Sequence, residues 1–376
     1  MNKFETQFTD YFSAQQAFAF WKARVGLYAL LRAMNIGPDD EVVLPGYTCV
    51  MDVNPIKYVG AKPVYVDIEP VMFNMNVDLL EQAITTNTKL ILAQHTYGYP
   101  CEMNAIFEIA NKYNIPVVED CCLALGSQYK NKLCGTFGKA AYFSFQWNKP
   151  FTTGLGGMVS INDKDLIEPM QDIYQQAATP GLKAQSMLKA QRMVYRTVIY
   201  PRTTAMITNL FRWMTKKGLV VGSSSCAEFM PEMAEDFLTK MGSMQVAAGT
   251  SQMNKINKNI AHRQQMAKLY DKLLSEADFD IPTIPDYMDP VLVRYPLRVS
   301  DKEKALAGAP AAGVEIGSWF ECPLHPIETP MHLYDYTKGQ CPEAEKACRE
   351  TINLPLHPRA GEKTVRRTVA YIKQFR

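Results

Sequence analysis

From residue 41 onward, apolar runs of four to six residues alternate with stretches of helical period. "EVVLPGYTC" reads as a strand and "MDVNPIKYVG" as the helix that follows, and "KPVYVDIE" with "NVDLLEQAI" repeats the pair. "KLILAQHTYG" predicts a strand, "CEMNAIFEIANKYN" an amphipathic helix and "IPVVEDCCLALG" a strand again, with "AAYFSFQW" and "GMVSIND" close behind. Apolar runs alternating with helical periods predict βαβ units and a largely parallel sheet. Such sheets bind ligands at the carboxyl ends of their strands, where His95, Asp120 and Lys149 fall.

Residues 164–240 change character: they are helical in period, broken at Pro180 and Pro201, and rich in Met, Arg and aromatics. Basic amphipathic helices of this kind can lie on a membrane surface, here through residues 185–222, or cover a site. A packed helical insertion is the preferred expectation. Beyond a long amphipathic stretch, "VLVRYPLRVS", "GVEIGSWFECPLHP", "TINLPLHPR" and a closing helix "GEKTVRRTVAYIKQF" form a short α/β tail. The expected organisation is a large domain over 1–250, carrying the 164–240 insertion, and a small domain over 251–376.

Composition narrows the class. The chain has 376 residues, 47% hydrophobic and 21% charged, with a net charge of +2. That is ordinary for a soluble globular protein and gives no reason to expect a nucleic-acid partner. The start, "MNKFETQFTDYF", lacks the apolar segment of a secretory signal, and no apolar run approaches the ~18 residues of a spanning helix. Nine scattered cysteines form no paired Cys-x-x-Cys units, so neither a disulfide framework nor a structural zinc site is supported. A reduced cytoplasmic enzyme is the expected class.

The chemistry concentrates in "YFSFQWNKPFTTGLGGMVSIND", where Lys149 is the only cation among Ser, Thr and Gly. A lysine among apolar walls or other cations becomes a usable amine nucleophile; an ordinary loop lysine is the plainer alternative. Asp120 ends the apolar "VVED" and is followed by "CCLALG" rather than by polar turn residues. A buried carboxylate needs a cation, and a protonated pyridine nitrogen is one; a helix N-cap is the alternative. A lysine for an aldehyde and an aspartate for a ring nitrogen are what pyridoxal phosphate requires, and Ser144 could donate to its phosphate. The "GLGG" turn lacks the G-x-G-x-x-G spacing and leads into a strand, which argues against a nicotinamide enzyme. His95 is either a pocket residue or a satisfied buried histidine. Cys322, His325 and His332 fit no standard metal spacing; they are read as a substrate-edge loop, and no metal is expected.

These stretches together resemble the sugar-aminotransferase (DegT/StrS) group of fold-type-I pyridoxal-phosphate enzymes, in the family's order from about residue 4 to the carboxyl terminus. "GPDDEVVLPGYTCV", "GAKPVYVDIE", "ITTNTKLILAQHTYGYPCEMNAI", "VVEDCCLALGSQYKNKLCGTFGKAAYFSFQWNKPFTTGLGG" and "LPLHPRAGEKTVRRTVAYI" carry the likeness. It implies a large domain with a mostly parallel seven-stranded sheet flanked by helices, and a smaller carboxyl-terminal α/β domain. Lys149 would be the Schiff-base lysine and later the general base, Asp120 the ring-nitrogen partner and Ser144 a phosphate ligand. Arg24, Val25 and Gly26 fall where the family has its phosphate turn, at the start of a helix, which suits a phosphate.

The chain departs from the family in several places. Leu123 replaces a His or Gln that faces the cofactor, and Leu155 replaces the Glu of "GEGG". Leu238 stands near the Asn that reaches the phosphate from a second subunit. Cys49 stands where the family has a ring-stacking aromatic, for which Tyr47 could substitute. Tyr97, His95 and His325 are the substrate-side candidates. The resemblance implies amination of a keto-sugar, with a nucleotide-linked one as the expectation, with glutamate as donor, in a homodimer. A keto-sugar dehydratase is one alternative, against which the retained Lys149 argues, and a cofactor-binding homologue without turnover is another.

Overall fold

The structure, a computed structural model of the chain, describes residues 1–195, 229–327 and 329–376. A seven-stranded sheet forms its centre. The strands are β1 (Gln16–Phe20), β2 (Glu41–Pro45), β4 (Lys62–Val66), β5 (Thr88–Gln94), β6 (Val117–Asp120), β9 (Ala140–Ser144) and β10 (Gly157–Ile161), in the order β1-β10-β9-β6-β5-β2-β4. Only β10 runs against the others. The fold is therefore the mostly parallel α/β type that the alternating pattern predicts. β2, β9 and β10 are buried along their whole lengths, as expected of strands covered on both faces.

Helices cover both faces: α1 (Lys3–Phe12), α2 (Ala23–Ala33), α3 (Val50–Tyr58), the short α4 (Val77–Leu80), α5 (Met103–Lys112), α6 (Ile167–Gln176) and α7 (Leu182–Val194). α1 opens with a capping box, Asn2 with Glu5, which fixes its first turn. It lays the fully buried Phe4 and Phe8 beneath the sheet against Phe143 and Phe145. Burying a side chain of this size is worth about 1.5–3 kcal/mol.

Two short pairings tie the later chain to the sheet: β3 (Thr48–Cys49) with β13 (Leu324–His325), and β7 (Gln128–Tyr129) with β8 (Lys132–Leu133) and β11 (Met288–Asp289). α8 (Ser243–Met253) packs on α1, and α9 (Ile256–Ser275) runs against the closing α12 (Glu362–Ile372). β12 (Tyr295–Arg298) pairs with β14 (Thr351–Leu354), flanked by α10 (Lys302–Gly308) and α11 (Pro342–Glu350).

Sequence and structure differ in the extent of several elements. "VLVRYPLRVS" supplies only the four residues of β12, and "AAYFSFQW" ends its strand at Ser144, leaving Phe145–Trp147 to begin the loop that carries Lys149. "NVDLLEQAI" forms only α4 and one 3-10 turn, Glu81–Ala83. Of the 185–222 stretch, residues 185–194 lie in α7, and the part from 196 onward lies outside the described residues. Among the described residues no helix is long and apolar enough to cross a membrane.

Candidate active site

The β9–β10 connection is built to present Lys149. Phe145 N–H donates to Gly156 O at 2.8 Å, Thr153 N–H returns to Phe145 O at 3.0 Å, and Phe145 stacks on Phe151. Thr152 Oγ1 also donates to Phe145 O, so the threonines of the sequence serve the loop's own closure. Gly154 has φ +92° and packs under Leu188; an added Cβ would lie 2.8 Å from the Leu188 methyl. Leu155 is fully buried in the same apolar cluster with Trp147 and Leu188, so this departure from the family pattern is a packing position.

From the far part of the chain, α9 grips the loop. Arg263, buried, donates to Pro150 O, Leu292 O and Val293 O, and Asn259 Nδ2 donates to Pro150 O at 2.6 Å. Lys149 Nζ lies 5.1 Å from the centroid of the Trp319 ring, which Arg294 approaches at 5.8 Å. Among the described residues Lys149 Nζ has no hydrogen-bond or ion-pair partner.

Register brings the other predicted groups together. Ser144, at the carboxyl end of β9, pairs with Gly157 at the start of β10. Gly157 in turn lies against the start of α2, where an added Cβ would come within 2.3 Å of Ala23 Cα. The absence of a side chain there lets the first turn of α2, with Arg24 and Val25, approach the Ser144 end of the sheet. Gly26 likewise allows α2 to rest on Val159. Arg24 and Val25 are buried, and the Ser144 hydroxyl has no partner among the described residues. Asp120 ends β6, is 4% exposed, and accepts from Cys122 N–H at 2.8 Å.

Asp52, in the first turn of α3, completes the cluster and was not singled out from the sequence. Its carboxylate, that of Asp120 and the Cys122 thiol have oxygen or sulfur atoms all within 4.8 Å of one another. Burial, then the neighbouring Asp120 charge, raises the Asp52 pKa to about 8, against the opposing pull of Lys149, Tyr142 and Arg24. Two like charges at this separation repel by about 3–4 kcal/mol at an effective dielectric of ~20, more than a helix amino terminus returns. Burial and Asp52 also push the Cys49 thiol up to about 11. Cys49 thus belongs to the cluster, and the β3–β13 pairing sets His325 directly beside it, at the rim.

Three sequence candidates lie elsewhere. Tyr47 is fully buried, stacked on Phe73 and bonded through its hydroxyl to Tyr97 at 2.8 Å, so it is a core residue and does not replace the missing ring-stacking aromatic. Tyr97, with φ +57°, turns its ring into the same core and donates to Trp319 O, so it supports the Trp319 wall instead of meeting a substrate. His95 is fully buried, with Nε2 on Glu119 at 3.0 Å and Nδ1 on Cys101 N–H at 3.0 Å; it is the satisfied histidine, not a pocket residue. Trp319, Arg294 and Arg263 escaped sequence reasoning because nothing local marks their approach to Lys149.

The residues present fit pyridoxal phosphate: an amine without a hydrogen-bond or ion-pair partner, a buried carboxylate, a hydroxyl without a partner among the described residues and a helix amino terminus all lie at the carboxyl ends of β6 and β9. Fold and site together define a fold-type-I pyridoxal-phosphate enzyme. The profile of the DegT/DnrJ/EryC1/StrS aminotransferase family matches residues 1–373, and the chain belongs to that family. It is 29% identical over 383 residues to the GDP-perosamine synthase of Caulobacter vibrioides, covering 99% of this chain and 89% of that protein. It is 28% identical over 359 residues to the UDP-2-acetamido-2-deoxy-3-oxo-D-glucuronate aminotransferase of Pseudomonas aeruginosa, covering 95% and 86%. The aminotransferase structure from Psychrobacter cryohalolentis superposes with a TM-score of 0.76 at 23% identity, covering 99% and 90% of the two chains.

Proposed function

We propose that this aminotransferase transfers the amino group of an amino acid, glutamate in the first instance, to the ketone of a nucleotide-linked sugar. The observation that carries the proposal is the Lys149 amine, without a hydrogen-bond or ion-pair partner among the described residues, on the loop at the same end of the sheet as Asp120, Ser144 and the first turn of α2. The names of the two relatives above support a nucleotide-linked sugar as acceptor.

Held at this end of the sheet, pyridoxal phosphate would supply the electron sink that stabilises negative charge at the donor's α-carbon. Lys149 would be the attachment point and, when not so engaged, the base that moves the proton between the donor's α-carbon and the cofactor carbon. Asp120 holds a proton on the ring nitrogen, and its burial keeps that charge pairing undiluted by water. Ser144 and the first turn of α2 hold the phosphate. Trp319 forms a wall beside Lys149, and Arg294, over the same ring and 3.9 Å from Glu315, is the nearby cation for an anionic group. His325, at the rim beside Cys49, is placed to meet the sugar.

We read the working form as a cytoplasmic homodimer. Support comes from the family resemblance and from the lack of any disulfide among the eight described cysteines. The experiment is to load the protein with pyridoxal phosphate, add glutamate and follow the visible band. Bleaching with release of 2-oxoglutarate, and amination of a GDP- or UDP-linked keto-sugar, is the expected outcome. Retention of the colour with no 2-oxoglutarate would contradict it.

A further inference from the structure

The hydrogen bonds around Asp52 determine where one proton sits. Gln94 Nε2 donates to Tyr47 O at 2.9 Å and to Thr96 Oγ1 at 3.0 Å. A backbone carbonyl can only accept, so the amide orientation is fixed and Gln94 Oε1 is an acceptor. Thr48 Oγ1 lies 2.5 Å from that oxygen and 3.3 Å from Asp52 Oδ2. The threonine hydroxyl has a single proton, and the shorter contact takes it. Oδ2 of Asp52 is then bonded to Thr48 only if Asp52 itself supplies a proton. Its other oxygen, Oδ1, accepts from the Tyr142 hydroxyl at 3.1 Å.

We propose that Asp52 is a neutral carboxylic acid in the folded protein, donating to Thr48, and that as a positioning residue it leaves Asp120 the only ionised carboxylate at the ring-nitrogen position. The inference rests on the cofactor reading above for its consequence, but not for the protonation state itself. The groups facing Asp52 are Asp120 and Cys122 from the end of β6, Tyr142 from β9, Lys149 from the β9–β10 loop, Arg24 from α2 and Cys49 from its own helix start. The two cations favour ionisation, while burial and the Asp120 charge oppose it and dominate. A second negative charge would compete with Asp120 for the ring-nitrogen proton and bind the Lys149 ammonium. A neutral Asp52 does neither.

Asp52→Asn tests this because asparagine, with Nδ2 toward Thr48 and Oδ1 toward Tyr142, reproduces the hydrogen bonds of the neutral acid but cannot ionise. Infrared spectra of the holoenzyme, labelled with carbon-13 aspartate, should show a carboxylic-acid carbonyl band at pH 6.5 that is absent from Asp52→Asn and disappears from the parent as the pH rises through about 8. The visible spectra of parent and variant should coincide below that range and part above it. A parent without the acid band at pH 6.5, or variant spectra already shifted there, would overturn the proposal. Should the variant not fold, titration of the labelled parent band decides alone. Should no pyridoxal phosphate bind, the cofactor reading fails, and the same band still decides the state of Asp52.

Discussion

Lys149 and Trp319 are in contact, the amine 5.1 Å from the indole centroid, although one belongs to the central sheet's loop and the other to the carboxyl-terminal part of the chain. The contact sets an apolar, electron-rich face beside the Lys149 amine. A cation over an indole is worth about 0.5–2 kcal/mol, depending on how dry the site is.

Replacing Trp319 with leucine should therefore leave pyridoxal phosphate bound and lower kcat/KM by about 3- to 30-fold, the same energy read as a rate. Steady-state kinetics beside a cofactor titration checks this. Loss of the cofactor itself would mean that Trp319 holds the group directly.

Gly157→Ala should disturb the phosphate end of the site. Its Cβ would lie 2.3 Å from Ala23 Cα and 2.4 Å from Ala23 N, backbone atoms that cannot rotate aside. Overpacking of this kind costs about 1–3 kcal/mol, and the start of α2 must move away from Ser144. The expected result is a lower melting temperature and weaker binding of pyridoxal phosphate by at least about 10-fold for each ~1.4 kcal/mol lost at the phosphate. Gly361→Ala, where an added Cβ meets nothing within 4 Å, is the control and should leave cofactor binding unchanged.

Asp52→Asn should stabilise the cofactor-free protein, increasingly so at higher pH. A carboxyl whose pKa is raised by folding contributes stability that is present below its unfolded pKa, about 4, and lost as the pH climbs toward the folded value, about 8. Asparagine removes that loss. Part of the Asp52 surface is open, which reduces the effect, so the gain at pH 8 should be about 1–3 kcal/mol and near zero at pH 4. Melting curves of both proteins between these limits measure it. A variant less stable than the parent at pH 8 would place an ionised, paired carboxylate at Asp52.

Much of this site was legible because its chemistry sits where an alternating pattern stops. Asp120 follows an apolar strand with no polar turn after it, Ser144 closes the next strand, and Lys149 is the lone cation of its loop. Asp52 was hidden because an acid in the first turn of a helix is ordinary, and only the approach of Asp120 from the end of β6 makes it a second carboxyl at the same point. Tyr47 misled because the chain turns at Gly46, where an added Cβ would strike Cys341 Sγ, and so aims the ring at Phe73 and Phe320. Tyr97 and His95 misled similarly: the end of a strand is also where a chain turns back into its core. Trp319 and Arg263 depend on contacts made over long separations, which no local periodicity encodes.

The central claim, that Lys149 is the attachment point of pyridoxal phosphate, is tested most directly by borohydride reduction of the loaded protein followed by peptide mapping. A visible band lost on reduction, with the pyridoxyl adduct on Lys149 and none in Lys149→Ala, is the predicted result. A colourless protein that takes up no pyridoxal phosphate, or an adduct on another lysine, would contradict the account.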